Sequence, residues 1–172
     1  MNLSKITAMA SLLALTSMAS CEKAAEEVII EQPEVKIENG QFTPEALMSM
    51  GAITDPQVSP DGTKVLYGVK FESIEQNKSN RELWTIGVDG SNPTRITKTA
   101  KGEQNAVWIN GGNKIAFLYP QDGKMQIWTM NPDGSDRKVV SNVENGIDGF
   151  ILSPDETKIA FISQVKWGTD AK

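Results

Sequence analysis

The sequence predicts an all-β fold: an incomplete β-propeller of two full four-stranded antiparallel blades and half of a third. Three observations carry that expectation. Lys64-Val-Leu-Tyr67, Lys114-Ile-Ala-Phe117 and Lys158-Ile-Ala-Phe161 are versions of one apolar strand. Leu83-Trp-Thr-Ile-Gly-Val-Asp-Gly-Ser91 matches Ile127-Trp-Thr-Met-Asn-Pro-Asp-Gly-Ser135 without a gap. Lys114 to Lys158 and Trp84 to Trp128 both span 44 residues, the period of a blade of about four short strands.

The chain begins with a targeting pattern. Lys5 supplies one positive charge, Ile6 to Ala19 is apolar and uncharged, and small residues lead into Cys21. The apolar run falls short of the about 20 residues a spanning helix needs, and the layout is that of a secretory signal over residues 1–20. Cys21 directly after Ala19-Ser20 resembles the bacterial lipobox, in which the signal is removed and the cysteine carries lipid. Met18 is an unusual occupant of the aliphatic lipobox position, and an ordinary signal with an incidental cysteine is the alternative.

Residues 21–40 hold six Glu against Lys23 and Lys36, an acidic tether kept extended by like charges. Acidic residues after the cysteine also resemble the surface-export signal of Bacteroidetes lipoproteins; a plain solvated linker reads equally well. Residues 41–54 form a short helix and a lead-in segment, with Thr43 as cap, Pro44 in the first turn and Gly51 as terminator.

Blades are expected over 55–98, 99–142 and 143–172. The first has strands near 56–59, 64–69, 82–88 and 94–97; the second near 105–109, 114–119, 125–130 and 137–141; the third only near 148–152 and 158–163. Ser59-Pro-Asp-Gly62 and Ser153-Pro-Asp-Glu156 are turns in which Pro presets φ, Asp bonds its own backbone and Gly permits positive φ. Asn110-Gly-Gly-Asn113 takes their place in the middle copy, and each Asp-Gly-Ser closes a hairpin. Lys64 to Lys114 is 50 residues, and the six extra fall between Lys70 and Asn80, expected as a longer polar connection. Two and a half blades do not close a ring, which takes about four to eight.

Composition excludes several chemistries. There are 172 residues with a formal net charge of −5, no histidine and one cysteine. Without histidine no Ser-His-Asp or Cys-His mechanism exists within the chain. One cysteine excludes an internal disulfide and a cysteine zinc site. The acidic balance argues against nucleic acid, which demands a basic face. Trp84 and Trp128 occupy equivalent positions, so packing accounts for them, whereas Trp108 and Trp167 fall outside the pattern. Asp89-Gly-Ser and Asp133-Gly-Ser lack the alternating ligands of a calcium loop and read as turns.

The Ser-Pro-Asp-Gly turn, the Lys-Ile-Ala-Phe strand and the Leu-Trp-Thr…Asp-Gly-Ser hairpin resemble WD40-like blades of two groups: periplasmic TolB-type propellers, and the N-terminal propeller of prolyl oligopeptidase family serine peptidases. Phe42-Thr-Pro-Glu45 before Met50-Gly-Ala-Ile-Thr-Asp-Pro-Gln-Val-Ser-Pro-Asp-Gly62 is similar to the lead-in of secreted dipeptidyl and acylaminoacyl peptidases, and Asn77-Lys-Ser-Asn-Arg-Glu-Leu-Trp84 is similar to a stretch of Bacteroidetes members. TolB proteins, moreover, are usually free in the periplasm rather than lipid-anchored.

That resemblance implies a propeller that caps a following α/β-hydrolase domain and filters peptides reaching its triad. The hydrolase's Gly-x-Ser-x-Gly and His match nothing here, so no catalytic residue, cofactor or metal ligand is carried over, and Cys21, for lipidation, is the one site residue assigned. In some relatives a pair of propeller glutamates grips the substrate's amino terminus; Glu72 and Glu75 are carboxylates at short spacing, but no surrounding motif supports that role and a solvated loop explains them. The expected partners are the hydrolase domain, peptide substrates and, through the lipid, a membrane of the bacterial envelope. The alternative is a TolB-like module binding envelope proteins.

Overall fold

A computed structural model describes residues 29–165 apart from residue 38. The signal, Cys21 and Trp167 lie outside the described residues. Among those described, helix α1 (Pro44–Met48) precedes ten strands in antiparallel sheets. Thr43 accepts the Ala46 amide at 3.2 Å and Pro44 opens the helix, as its sequence requires.

The first sheet holds β1 (Ala52–Val58), β2 (Lys64–Ser73), β3 (Lys78–Gly87) and β4 (Thr94–Arg95) in sequential order. The second repeats it with β5 (Gln104–Ile109), β6 (Lys114–Gln121), β7 (Lys124–Met130) and β8 (Lys138–Val139). A two-stranded sheet follows, β9 (Gly149–Leu152) with β10 (Ile159–Ile162). This is the meander of four-stranded units that the repeat predicts.

Three elements differ from expectation. β1 starts at Ala52 and runs through a bulge between Thr54 and Gln57, with Asp55 at φ 47°. Pro56, lacking an N–H, sits in that bulge, where no ladder bond is needed. The polar stretch Lys70–Asn80 is not a loose connection. β2 and β3 stay in register to the Ser73–Lys78 pair, and Phe71 and Asn80, directly opposite, are both buried. β4 and β8 are only two residues long, because a side chain then replaces the ladder. The Leu83 amide donates to the Thr97 hydroxyl at 2.8 Å, and the Ile127 amide donates to the Ser141 hydroxyl at 2.8 Å.

Two cores separate the sheets. Leu66, Leu83 and Ile96 of the first meet Ile115, Phe117 and Met130 of the second. Ala116, Leu118 and Ile127 of the second meet Phe150 of the third, with Ile147 between. The second sheet thus buries alternate residues on opposite faces, as a stacked blade does. Within the acidic stretch, Ile30 and Glu31 lie against the first sheet: Ile30 is buried, and Glu31 pairs with Arg95 at 3.0 Å and Lys98 at 2.5 Å.

Candidate functional site

The first strands of the three sheets converge on one cleft of about 560 Å³. β1 contributes Asp55 and Gln57, β5 contributes Asn105 and Trp108, and β9 contributes Phe150 and Ile151. The repeat explains why these positions coincide. β5 carries the same bulge as β1, between Gln104 and Val107, with Asn105 at φ 52° where β1 has Asp55. Asp and Asn are the side chains that tolerate this left-handed conformation best, and the bulge turns each toward the cleft.

The two bulge residues do different work. Asp55 accepts from the Arg81 guanidinium at 2.7 Å, and the same nitrogen reaches the Thr54 hydroxyl at 3.2 Å. Arg81 Nε also donates to the Glu103 carbonyl at 2.6 Å, so β3 projects a fixed guanidinium to the cleft wall. Asn105 instead donates to the Phe150 carbonyl at 3.1 Å and ties the second sheet to the third. Trp108 Nε1 reaches the Gln57 carbonyl at 3.4 Å and links the second to the first. Asp148 completes the polar rim. The result is a mixed surface: an ion pair on one side, aromatic and aliphatic side chains on the other. Its lining residues offer neither a nucleophile–base pair nor a thiol.

Glu72 and Glu75 do not join this cleft. Glu72 sits in β2, paired to Lys70 at 2.7 Å, and both line a separate recess of about 360 Å³ beside Ile30 and Met48. Trp128 packs on the core between the first two sheets, edge-on to Tyr119 with centroids 5.7 Å apart, and donates to the Tyr119 carbonyl at 3.1 Å. Trp84 holds the equivalent position on the first sheet, opposite Arg95. The hairpin carboxylates are occupied by their own turns: Asp89 accepts from the Ser91 amide at 2.9 Å and Asp133 from the Ser135 hydroxyl at 2.6 Å. Hydrogen bonds from these serines hold both carboxyls below the ordinary aspartate value. Sequence reasoning missed Asp55, Arg81 and Asn105; the repeated position of Asp55 and Asn105 ahead of each Lys-apolar strand was the available signal.

No family model matches the chain. It is 41% identical over 131 residues to dipeptidyl-peptidase 5 of Porphyromonas gingivalis, covering 76% of this chain and 19% of that protein. It is 32% identical over 162 residues to dipeptidyl-peptidase 5 of Porphyromonas endodontalis, covering 94% of this chain and 23% of that protein. The chain therefore spans about a fifth of the length of these curated relatives. Among solved structures, an acylaminoacyl peptidase in complex with Z-Gly-Gly-Phe-chloromethyl ketone superposes with a TM-score of 0.58 at 17% identity, covering 73% of this chain and 19% of that one. A putative TolB from Agrobacterium tumefaciens superposes with a TM-score of 0.54 at 22% identity, covering 70% of this chain and 41% of that one. These structural likenesses establish a propeller-type fold.

Proposed function

Because the chain is a homologue of the propeller portion of prolyl oligopeptidase-family peptidases, we propose that it is the non-catalytic part of a lipid-anchored peptidase, admitting and selecting peptides for an α/β-hydrolase domain elsewhere in the protein. The observation that carries this reading is the 41% identity to a dipeptidyl-peptidase over three quarters of the chain. The cleft on the first strands supports it, since that is the side of each blade that lines a propeller's central channel. Within the chain there is no histidine and no Gly-x-Ser-x-Gly, so catalysis falls to other residues of the protein. Lipidation at Cys21 would hold the assembly to a membrane of the bacterial envelope.

In the same reading the described sheets are two complete blades and half of a third. The Lys-Ile-Ala-Phe copies support this. Ile115, Phe117 and Leu118 in β6 are 0%, 0% and 1% exposed, whereas Ile159, Phe161 and Ile162 at the equivalent positions of β10 are 46%, 49% and 69% exposed. One sequence, buried in the middle of a sheet and bare at an edge, calls for further strands beside β10.

A second reading, a TolB-like module docking envelope proteins, is favoured by the likeness to the Agrobacterium protein, of which the chain covers the larger share. Incubating the purified chain with dipeptidyl chromogenic substrates and a fluorophosphonate probe, while following Trp108 fluorescence, separates the readings. The expected outcome is no turnover and no labelling, with peptide-dependent quenching that Trp108→Phe abolishes. Turnover or labelling above a boiled control contradicts a non-catalytic role; no peptide response, with retention of an envelope protein, favours the docking module.

A further inference from the structure

The first repeat contains a buried polar knot that the second repeat simplifies. In the second, Gln126 of β7 clamps the strand that follows: its side-chain oxygen accepts the Ser141 hydroxyl at 2.7 Å and the Val143 amide at 2.9 Å. In the first, Glu82 of β3 stands in place of Gln126, Thr97 in place of Ser141 and Thr99 in place of Val143, with the same bonds. Where the second repeat has the apolar Ile147, however, the first has Glu103. Glu82 and Glu103 are both 0% exposed, and both reach the Thr97 hydroxyl oxygen at 2.7 Å.

Thr97 Oγ1 already accepts the Leu83 amide at 2.8 Å and owns one proton to donate. That proton satisfies one carboxylate. The second contact at 2.7 Å is then oxygen on oxygen, repulsive unless the other carboxyl brings its own proton. We infer that Glu82 and Glu103 hold one proton between them in the folded protein at neutral pH, carried by Glu103, and that this proton bolts the first sheet to the second.

The partners decide which carboxyl holds it. Glu82 Oε1 already accepts from the Asn80 side-chain amide and the Thr99 amide, each at 2.8 Å, and Arg95 Nη2 lies 3.3 Å away. Glu103 Oε1 meets Arg137 Nη1 at 2.9 Å and the Thr99 hydroxyl at 3.2 Å. Burial pushes the Glu103 carboxyl above the ordinary glutamate value, the negative charge of Glu82 adds to this, and Arg137 opposes it. Two further charges lie nearby: Glu31 holds Arg95 at 3.0 Å, and Arg81 donates to the Glu103 carbonyl. Arg137, from the turn between β7 and β8, stacks 4.9 Å from the ring centres of both Phe117 and Tyr119. Glu103 thus joins elements of both sheets, and losing its proton places two carboxylates on one hydroxyl.

The linkage has a definite sign. A carboxyl raised in the folded state contributes stability that is complete below its unfolded value and lost as pH rises through the folded one. The test is a pH titration of the whole chain with carbon-13 at the glutamate side-chain carboxyls. One carboxyl should keep its protonated shift at neutral pH and move only under alkaline conditions; Glu103→Gln should delete that resonance and flatten the fall in thermal midpoint that runs from the ordinary glutamate range up through the folded value. If every glutamate shows the carboxylate shift at neutral pH, the shared proton does not exist. Should Glu103→Gln not fold, the wild-type titration still decides the matter by itself.

Discussion

Gly90 and Gly134 occupy the same place in successive hairpins, at φ 84° and 86°, yet their surroundings differ. A methyl added at Gly90 meets nothing within 4 Å, whereas one at Gly134 overlaps the Ile96 carbonyl of the neighbouring sheet. Gly90→Ala should therefore cost about 1 kcal/mol from the left-handed backbone alone. Gly134→Ala should cost about 1–3 kcal/mol more, because backbone must move. Denaturant midpoints of the two variants measure the difference, and equal costs would deny the close approach of the sheets. At this scale the turns were legible in the sequence. Asp61 accepts the Thr63 amide at 3.1 Å and Asp155 the Thr157 amide at 3.2 Å, as Ser-Pro-Asp chemistry dictates. The knot around Thr97 and the Asp55–Arg81 pair were not: the knot takes Glu103 from just ahead of the next sheet, and Asp55 meets Arg81 across the intervening strand β2.

Strand existence and order were legible because one apolar tetrapeptide recurs at a fixed spacing. Strand ends were less so. The tip of the β2–β3 hairpin is polar and half exposed, so composition marks it as a connection although it stays paired to Ser73–Lys78. The brevity of β4 and β8 follows from Thr97 and Ser141 capturing the amides of the neighbouring strand, which no apolar period reveals. The recurring tetrapeptide also supplies an internal control. Phe117, fully buried in β6, should cost about 3–5 kcal/mol when replaced by alanine. Phe161, half exposed in β10, should cost within about 0.5 kcal/mol in the same chain. Thermal unfolding of both variants checks this; a large loss at Phe161 would mean that β10 is already covered.

At the scale of the molecule, the proposed function makes these sheets blades of a larger ring whose first strands form a cleft for peptides. Bare apolar residues follow from it at two places: along β10, where Ile159, Phe161 and Ile162 are exposed, and on the cleft side of β9, where Ile151 is. Burying such side chains contributes about 1.5–3 kcal/mol each, enough to drive strand addition between copies when the proper neighbours are missing. The most direct measurement is light scattering on the purified segment from Cys21 to Lys172 across a range of concentrations. Concentration-dependent self-association that Phe161→Lys suppresses is the expected result. A monodisperse monomer that unfolds in one sharp transition would contradict it, because the sheets would then form a self-sufficient domain.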